Sequence, residues 1–439
     1  MRPAYPPIPG PRGLPLLGVW VPWRRDWVAE VVRLHRAHGD LVQFRMGPRR
    51  IYLVADPALI PRVLAQGRTM TKGFGLRTAA DLFLGDGLLT ARGETHRTGR
   101  RLAQFALQPA RFSSYDDISR DCLERTQAGW THGMSLDLHV AASELSMRVA
   151  TECLLGVSAE GHFAALRAAV AELDAFTQGA VANPAWRALV NLPLPRSRRF
   201  RRARTWLNAL LEDALAAAPG TPGWLGHLTA EGSAGGLSPT QVRDLAKSIL
   251  LAGYETTATA LAWTIDLIAH HPDCEKRLLA EFAATSPGAD LPYTRQVLQE
   301  SMRLFPPVWM IGREALEPID LGRLQLAPGD TVQMSTFVVH RDERYFPNPE
   351  RFDPDRFAPA GPGWPDAAYF PFGAGPRACL GERFAMRQLA STLRTWLPRW
   401  RFVPDHPEPV PFDAFITLKP RCGLRMKVFR RDKSDDLAR

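Results

Sequence analysis

The sequence has few cysteines, and their arrangement excludes two common uses. Five cysteines occur in 439 residues, and none stands in the close C-x-x-C spacing of structural zinc sites. Their odd number and scattered positions also argue against a disulfide framework. The five are Cys122, Cys153, Cys274, Cys379 and Cys422. We therefore predict a cytoplasmic protein in a reducing compartment.

Long apolar runs are missing as well. The N-terminal segment is rich in proline and glycine and lacks the charged-then-apolar pattern of a signal peptide. The longest apolar region, 249–268, is interrupted by Glu255 and Asp266, so we predict no transmembrane helix. No repeat or low-complexity linker divides the chain. We expect one domain over 1–439, with a lead at 1–20 and a disordered tail at 430–439.

Lysine is rare, so the net charge of +10 is carried almost entirely by arginine. This charge suits an acidic protein partner, an anionic membrane surface or nucleic acid. No zinc finger, RNP-type aromatic motif or helix-turn-helix pattern is present, and we expect no nucleic-acid partner. The apolar residues 189–195 precede six arginines within 196–204. This stretch is either a solvated helix face or a peripheral membrane contact.

A hydrophobic share of 45% with 23% charged residues is a globular composition, and helical periodicity dominates. Two short strands at 41–46 and 51–55 indicate a hairpin. The fold class is therefore mainly α with a smaller β region. A capping box at Ser238 and Pro272 at the other end predict a long central helix at about 238–271. Residues 74–89 contain several glycines without a clear period, which predicts a long functional loop.

One cysteine lies in a glycine-rich loop, residues 372–381, with the sequence F-G-A-G-P-R-A-C-L-G. Helical spacing begins at Leu380, so Cys379 lies near a helix N-terminus, where the dipole favours the metal-binding thiolate. An isolated cysteine is often a small buried apolar residue. Residues 373–378 also resemble a dinucleotide-binding turn, but Pro376 lacks an N–H group and no βαβ pattern surrounds it. Cys379 is our candidate metal ligand.

The pattern F-x-x-G-x-R-x-C-x-G, formed by Phe372, Gly375, Arg377, Cys379 and Gly381, resembles the haem-binding loop of the cytochrome P450 superfamily. The resemblance implies a haem b cofactor, iron protoporphyrin IX. It assigns Cys379 as the iron ligand, and Arg377 as a contact of a haem propionate. Phe372 and Gly381 belong to the same cofactor-binding loop.

The middle of the predicted central helix contains Ala252-Gly253-Tyr254-Glu255-Thr256. Glycine inside a helix costs about 1 kcal/mol relative to alanine, and a threonine hydroxyl can bond a carbonyl one turn back. The pair of Glu255 and Thr256 is either a self-satisfied buried polar pair or a functional site. The segment resembles the P450 motif A-G-x-E/D-T. That resemblance implies that both residues deliver the protons needed to cleave dioxygen.

Residues at two further places in the sequence resemble the haem-propionate contacts of the family. His96 and Arg100 lie four residues apart on a predicted helix that begins at Gly93. Alone they would indicate a solvated basic helix, but they resemble the propionate-binding helix of P450s. Arg313 follows a predicted apolar strand at 308–311, and the resemblance places its side chain at a propionate too.

Glu300 and Arg303 match the E-x-x-R motif of the family. The resemblance implies a buried structural cluster completed by a second arginine. Both Arg351 and Arg356 lie in a suitable P-x-R-F context. We favour Arg356 because of its spacing to Cys379.

The implied activity is monooxygenation, the insertion of one atom of O2 into a C–H bond. The sequences of residues 304–309 and 252–263 are similar to those of bacterial P450s that hydroxylate carotenoid rings. We therefore predict a lipophilic isoprenoid substrate such as a carotenoid. Fatty-acid hydroxylation is the alternative. A peroxide-driven P450 is disfavoured by Glu255 and Thr256, and a non-catalytic haem or lipophile carrier is the hypothesis from another class. The predicted pocket consists of Phe74, Phe83, Leu88, Leu89, Ala252, Val308, Trp309, Met310 and Phe415.

No fused flavin domain is visible, so electrons should come from a separate ferredoxin or flavodoxin with its reductase. An acidic carrier would dock on arginines near the Cys379 face. We expect the enzyme to be a monomer.

Overall fold

The structure is a computed structural model. It describes residues 7–14, 18–19, 26–158, 160–183, 185–220, 224–286, 288–359, 361, 363–406 and 408–431. Helices account for 54% and strands for 13% of the chain. This composition confirms the predicted fold class, mainly α with a smaller β region.

The α-helices among the described residues are α1 (Trp27–His38), α2 (Ile60–Leu64), α3 (Phe74–Ala79), α4 (Gly93–Ala106), α5 (Phe112–Gln127), α6 (Leu138–Val149), α7 (Phe163–Ala182), α8 (Ala185–Leu189), α9 (Pro195–Ala216), α10 (Trp224–Ala234), α11 (Pro239–Ala269), α12 (Pro272–Ala284), α13 (Pro292–Leu304), α14 (Thr336–Val339) and α15 (Glu382–Trp396). Two π-helical turns, Ala80–Leu84 and Ala150–Leu155, extend α3 and α6. Short 3₁₀ turns occupy Pro109–Arg111, Pro354–Phe357, Asp366–Ala368 and Gly375–Arg377.

The strands are β1 (Leu41–Met46), β2 (Arg49–Val54), β3 (Met70–Lys72), β4 (Met134–Asp137), β5 (Ile311–Ala315), β6 (Ile319–Asp320), β7 (Gln325–Leu326), β8 (Thr331–Met334), β9 (Trp400–Pro404), β10 (Phe412–Ala414), β11 (Leu418–Pro420) and β12 (Arg425–Arg430). One five-stranded sheet has the order β1-β2-β8-β5-β3, and a three-stranded sheet has the order β4-β12-β9. The predicted hairpin is β1 and β2, with Leu41 opposite Val54.

The central helix α11 forms as predicted. The Ser238 hydroxyl accepts from the Gln241 N–H at 3.2 Å, and the Gln241 side chain accepts from the Ser238 N–H at 2.9 Å. This capping box satisfies helix-terminal N–H groups that have no partner within the helix. Most of α11 is buried in a helical core. A second core surrounds the five-stranded sheet.

The loop predicted for 74–89 is wrong in its first part. Residues Phe74–Ala79 are α-helical and Ala80–Leu84 form a π turn, because buried apolar contacts fix this segment. The buried Lys247 ammonium of α11 donates to the Phe83 carbonyl at 2.9 Å. A Cβ at Gly87 would lie 2.1 Å from the Asp244 carbonyl oxygen. The glycine at 87 therefore allows close packing on α11.

Two predicted boundaries also need correction. The strand expected at 308–311 begins only at Ile311, because the Val308 and Trp309 carbonyls accept from the hydroxyls of Thr336 and Ser335. The predicted disordered tail begins too early. Arg430 belongs to β12, and Arg431 donates to the Leu397 carbonyl at 2.9 Å. Residues 432–439 of the tail, and 1–6, 15–17 and 20 of the lead, lie outside the described residues.

Candidate active site

The loop that carries Cys379 lies between the two cores. The Cys379 N–H donates to the Phe372 carbonyl at 2.9 Å, which closes the loop on itself. Gly375 has a φ of 70°, and a Cβ there would lie 2.5 Å from the Leu64 carbonyl oxygen at the end of α2. Glycine is needed at 375 because any Cβ would clash with that oxygen. On the other side of the loop, Arg100 of α4 donates to the Ala378 carbonyl at 2.9 Å.

The Cys379 side chain is accessible, yet burial raises the pKa of its thiol. Both observations hold when a side chain lines a concave surface inside a protein. The backbone N–H groups of Gly381 and Glu382 and the charge of Arg100 lower this pKa, but by less than burial raises it. The N–H groups at the helix N-terminus thus favour the thiolate, in the expected direction, but burial outweighs them. A bound metal ion would stabilise the thiolate further.

Four cationic side chains surround this surface: Lys72, Arg100, Arg313 and Arg377. We call them the four-cation group. Lys72 on β3 and Arg313 on β5 are opposite each other in the sheet. Arg377 donates to the Ala91 carbonyl at 2.9 Å. Within the described part of the chain, none of the four forms an ion pair with a carboxylate.

The electrostatics of the group reflect this excess of positive charge. Burial and the charges of Arg313, Arg377 and Arg100 lower the pKa of Lys72 to about 7. Burial lowers the pKa of Arg313 to about 10, with a further contribution from Arg377. Burial, followed by Arg377 and Lys72, lowers the pKa of His96 to about 4, so this imidazole is neutral at neutral pH. The sequence did not predict Lys72 as a site residue. The only signal was that lysine is rare in this chain.

The site fits a haem. Cations held at buried or half-buried positions without a counter-charge are costly, so the four-cation group calls for an anionic ligand. Haem b offers two propionate carboxylates, and its iron takes the Cys379 thiolate. The predicted contacts Arg100, Arg313 and Arg377, and the neutral donor His96, lie in this one group. The chemistry of these residues therefore matches the cofactor.

The middle of α11 is more accessible than the rest of that helix. Leu251, Ala252, Gly253, Glu255 and Thr256 are partly exposed, whereas the neighbouring turns are buried. This pattern indicates that a cavity opens against the helix. The Thr256 hydroxyl donates to the Ala252 carbonyl at 2.7 Å, as predicted for a threonine inside a helix.

Glu255 does not form a self-satisfied pair with Thr256. Its Oε1 accepts from the Thr417 hydroxyl at 2.9 Å and lies 3.4 Å from Lys419 Nζ, both near β11. A Cβ at Gly253 would lie 3.4 Å from Leu154, so packing against neighbouring protein atoms does not itself require glycine there.

The predicted pocket residues divide into two groups. Phe74, Phe83 and Trp309 are buried, at 8%, 6% and 1% exposure. Trp309 packs in the core around the five-stranded sheet and donates to the Phe415 carbonyl at 3.1 Å. Phe415 packs edge-on against Trp27 of α1. The partly exposed residues are Leu88, Leu89, Ala252, Val308, Met310 and Phe415.

The structural cluster forms around a fully buried ion pair. Arg303 contacts Glu300 through Nε at 2.6 Å and Nη2 at 2.9 Å. Arg303 also donates to the His340 and Pro349 carbonyls. Arg356 is buried with its Nε 3.5 Å from Glu300 Oε1. Arg351 is exposed and offers only its carbonyl, so the third member is Arg356.

The family model described as Cytochrome P450 matches residues 8–424. The chain belongs to the cytochrome P450 family, and it is a haem-containing monooxygenase.

Within the described residues, none of the helices has both the length and the apolar character to cross a membrane.

Named relatives and solved structures agree with this family. The chain is 36% identical to cyclooctatin synthase of Streptomyces melanosporofaciens, over 90% of this chain and 89% of that protein. It is 28% identical to pentalenene oxygenase of Streptomyces avermitilis, over 96% and 97%. The structure of CYP175A1 from Thermus thermophilus is similar with a TM-score of 0.76 and 29% identity, covering 93% and 96%. Retinoic acid-bound cyanobacterial CYP120A1 shares the fold, with a TM-score of 0.85 at 24% identity over 98% and 100%.

Proposed function

We propose that this enzyme hydroxylates a C–H bond of a lipophilic terpenoid with O2. The observation that carries the proposal is the group formed by the accessible Cys379 thiol and four cations that have no carboxylate partner among the described residues. Cys379 would ligate the haem iron, and Arg100, Arg313, Arg377 and His96 would hold its propionates. When bound, the haem supplies the centre at which dioxygen is activated.

The terpenoid class rests on the relatives and on the lining of the site. Relatives are named cyclooctatin synthase, cyclooctat-9-en-7-ol 5-monooxygenase and pentalenene oxygenase. The partly exposed Leu88, Val308 and Met310 offer an apolar wall that holds such a substrate by area rather than by hydrogen bonds. A carotenoid ring belongs to the same isoprenoid class and remains our more specific candidate. A fatty acid is the alternative substrate.

Glu255 and Thr256 would deliver protons during the reaction. Both side chains are partly exposed in the middle of α11, and Glu255 is held by Thr417. The Thr256 hydroxyl donates its hydrogen to Ala252, so its lone pairs are free to accept a proton from an acid. Such a relay is needed for turnover with O2 and is dispensable with peroxide.

An acidic ferredoxin or flavodoxin would supply the electrons. Arg383 follows Cys379 closely on α15, and Arg101 follows Arg100 on α4. Both are exposed, and neither forms an ion pair among the residues described. If reduction by a ferredoxin system proved independent of ionic strength, this docking proposal would be wrong.

The stretch 189–204 is our candidate for peripheral membrane contact. Leu192 and Leu194 are exposed at 45% and 41%. Arg198 and Arg202 are exposed nearby, whereas Arg201 is occupied by the Val190 and Leu192 carbonyls. Cosedimentation with anionic vesicles that is lost in a double variant, Leu192→Ser with Leu194→Ser, would support this contact.

The test of the proposed function has two parts. The reduced carbonyl complex of the wild type should show the red-shifted Soret band of a thiolate ligand, and Cys379→Ala should lack it. Terpenoid hydrocarbons, carotenoids and fatty acids are then compared by substrate-induced spectral shift and product formation with a ferredoxin system. Products from fatty acids alone would overturn the terpenoid assignment. Binding without any product would favour a carrier, and turnover with peroxide alone would favour the peroxide-driven class.

A further inference from the structure

Three elements bring charged groups together beside Glu255. Lys419 of β11 places Nζ 3.4 Å from Glu255 Oε1 on α11 and 3.8 Å from Asp174 Oδ2 on α7. The Asp174 and Glu255 side chains are only 14% and 16% exposed, and Lys419 is 36% exposed. Two largely buried carboxylates thus share one lysine. We call these residues the shared-lysine site.

The charges at the shared-lysine site do not balance when all three groups are ionised. Two carboxylates and one ammonium leave one net negative charge in a poorly solvated place, which is unfavourable. One proton held between the two carboxylates removes that charge. Coupled carboxylates of this kind take up a proton as a pair.

The contacts of the two carboxylates differ. Glu255 accepts a hydrogen bond from the Thr417 hydroxyl at 2.9 Å and is the nearer of the two acids to Lys419. Hydrogen bonds and a nearby cation stabilise the charged form of an acid. Asp174 has only the longer contact with Lys419 among the ion pairs described. The proton therefore belongs on Asp174.

We propose that Asp174 holds this proton and passes it to Glu255, with Lys419 as the positioning residue between the two carboxylates. The proposal rests on the proposed function, in which Glu255 and Thr256 deliver protons. In the transfer, the O–H bond of Asp174 breaks and an O–H bond forms at Glu255. When the O–H bond at Glu255 breaks, the Thr256 hydroxyl oxygen takes up that proton and releases the hydrogen it had carried into the cavity, so it remains a neutral hydroxyl. Asp174 then recovers a proton from solvent past the partly exposed Lys419.

The pKa values agree with this arrangement. Burial, followed by the charge of Glu255, raises the pKa of Asp174 to about 8, although Lys419 acts in the opposite direction. Burial by itself would lower the pKa of Lys419, but Glu255 and Asp174 together raise it, so the ammonium keeps its charge. Asp174 is thus protonated at neutral pH, and Lys419 is not the proton donor.

Other titratable groups face the site. Tyr254 is buried beside Glu255, and its raised pKa keeps it neutral. Burial lowers the pKa of His139 on α6, so it is neutral as well. Arg167 on α7 and Asp413 on β10 are exposed, and Asp413 is paired with Arg421. Asp137 is occupied by capping α6. Asp174 is therefore the group at this site that titrates just above neutral pH.

The direct test is infrared spectroscopy of the haem-loaded enzyme at pH 7. The wild type should show the C=O stretch of a protonated carboxyl group that disappears in Asp174→Asn. Glu172→Gln is the matched control, since Glu172 lies on the same helix in an exposed ion pair with Arg199. Persistence of the band in Asp174→Asn, or its absence from the wild type, would overturn the proposal.

Thermal unfolding gives a second readout that does not depend on turnover. An acid whose pKa is raised by folding destabilises the folded state as the pH rises from its ordinary value to the raised one. The melting temperature of the wild type should therefore fall, relative to Asp174→Asn, between about pH 4 and pH 8. Parallel profiles for wild type and variant would contradict a proton on Asp174. The Glu172→Gln profile should follow that of the wild type.

Turnover separates this inference from the proposed function. Asp174→Asn should lower the amount of product formed per electron pair by up to about 100-fold, a loss typical of removing a general acid. The thiolate Soret band should stay unchanged. Lys419→Met should do the same, whereas Lys427→Met, at an exposed pair with Asp405, should not. Normal coupling in both site variants would sink the relay through Asp174. A wild type that forms no product would instead refute the proposed function, while the infrared result would still decide where the proton is.

Discussion

Two groups of cationic side chains, one fully buried and one partly buried, differ in which groups satisfy their charge. In the structural cluster, Arg303 has both oxygens of Glu300 and the His340 and Pro349 carbonyls around it. In the four-cation group, Arg313 is equally buried, but its described hydrogen bond goes only to the adjacent Gly312 carbonyl. The first group is complete within the protein, and the second is not.

The difference indicates what each group is for. A buried charge with all its partners fixes the surrounding backbone, and removing one partner leaves the other uncompensated. A buried charge without a counter-charge is unfavourable until an anion binds, so it does not itself stabilise the folded protein. We infer that the structural cluster contributes to the stability of the protein and that the four-cation group contributes to the affinity for haem.

Replacing Arg303 by alanine should have the largest effect. Glu300 is completely buried and would lose the nearer of its two arginines, and breaking a buried pair costs about 3–5 kcal/mol in similar cases. Urea-induced unfolding should show this loss, or the variant should fail to accumulate as a folded protein. Arg277→Ala removes an exposed pair with Asp355 and should cost less than about 1 kcal/mol. Equal losses in the two variants would contradict the importance of burial.

Arg313→Met should separate haem binding from folding. Losing a charged hydrogen bond to a propionate costs about 1.5–3 kcal/mol, which is roughly 10- to 100-fold in haem affinity. The haem-free protein should be no less stable than the wild type, because one repelling cation is gone. Haem transfer to an excess of a haem-free acceptor protein measures the first effect, and urea unfolding measures the second. A variant that loses stability without losing haem would place Arg313 with the structural arginines.

Lys72 gives a pH test of the same group. Its pKa is about 7 in the folded protein, below the ordinary lysine value of 10.5. Between these values the unfolded chain keeps a proton that the folded protein has lost, so stability should increase as the pH rises above 7. We expect a gain of about 1 kcal/mol in the first pH unit for haem-free protein, and none in Lys72→Met. A flat wild-type profile would mean that Lys72 is already paired.

Sequence patterns predicted the parts of the fold that depend on local signals. The capping box at Ser238 and the proline at 272 bound the central helix, because caps and prolines act within one turn. Residues 74–84 were misassigned as loop, since their helical structure depends on distant contacts such as Lys247 to Phe83. A glycine that permits close packing and a glycine in a loop look the same in a sequence.

The same distinction holds at the site. Cys379, Arg377 and the pair of Glu255 and Thr256 occur in short motifs and could be named from the sequence. Lys72 and Asp174 could not, because each lies on a different element from the groups it faces and belongs to no local pattern. The direction of the pKa shift of Cys379 was also beyond reach, since burial is set by the whole fold.

The smallest effect should come from replacing Arg351, which resembles Arg356 in its sequence context but whose side chain does not belong to the structural cluster. Arg351 is exposed and contributes its backbone carbonyl to Arg303, so Arg351→Ala keeps that contact and should change the free energy of unfolding by no more than about 0.5 kcal/mol. Arg356→Ala removes a buried cation that also donates to the Pro347 carbonyl at 2.8 Å, and should cost about 1–3 kcal/mol. The two arginines stand five residues apart in nearly identical P-x-R-F contexts. Comparing the free energies of unfolding of the two variants therefore tests the effect of burial and contact at closely matched sequence positions. If Arg351→Ala were the more damaging change, the assignment of Arg356 to Glu300 would be reversed.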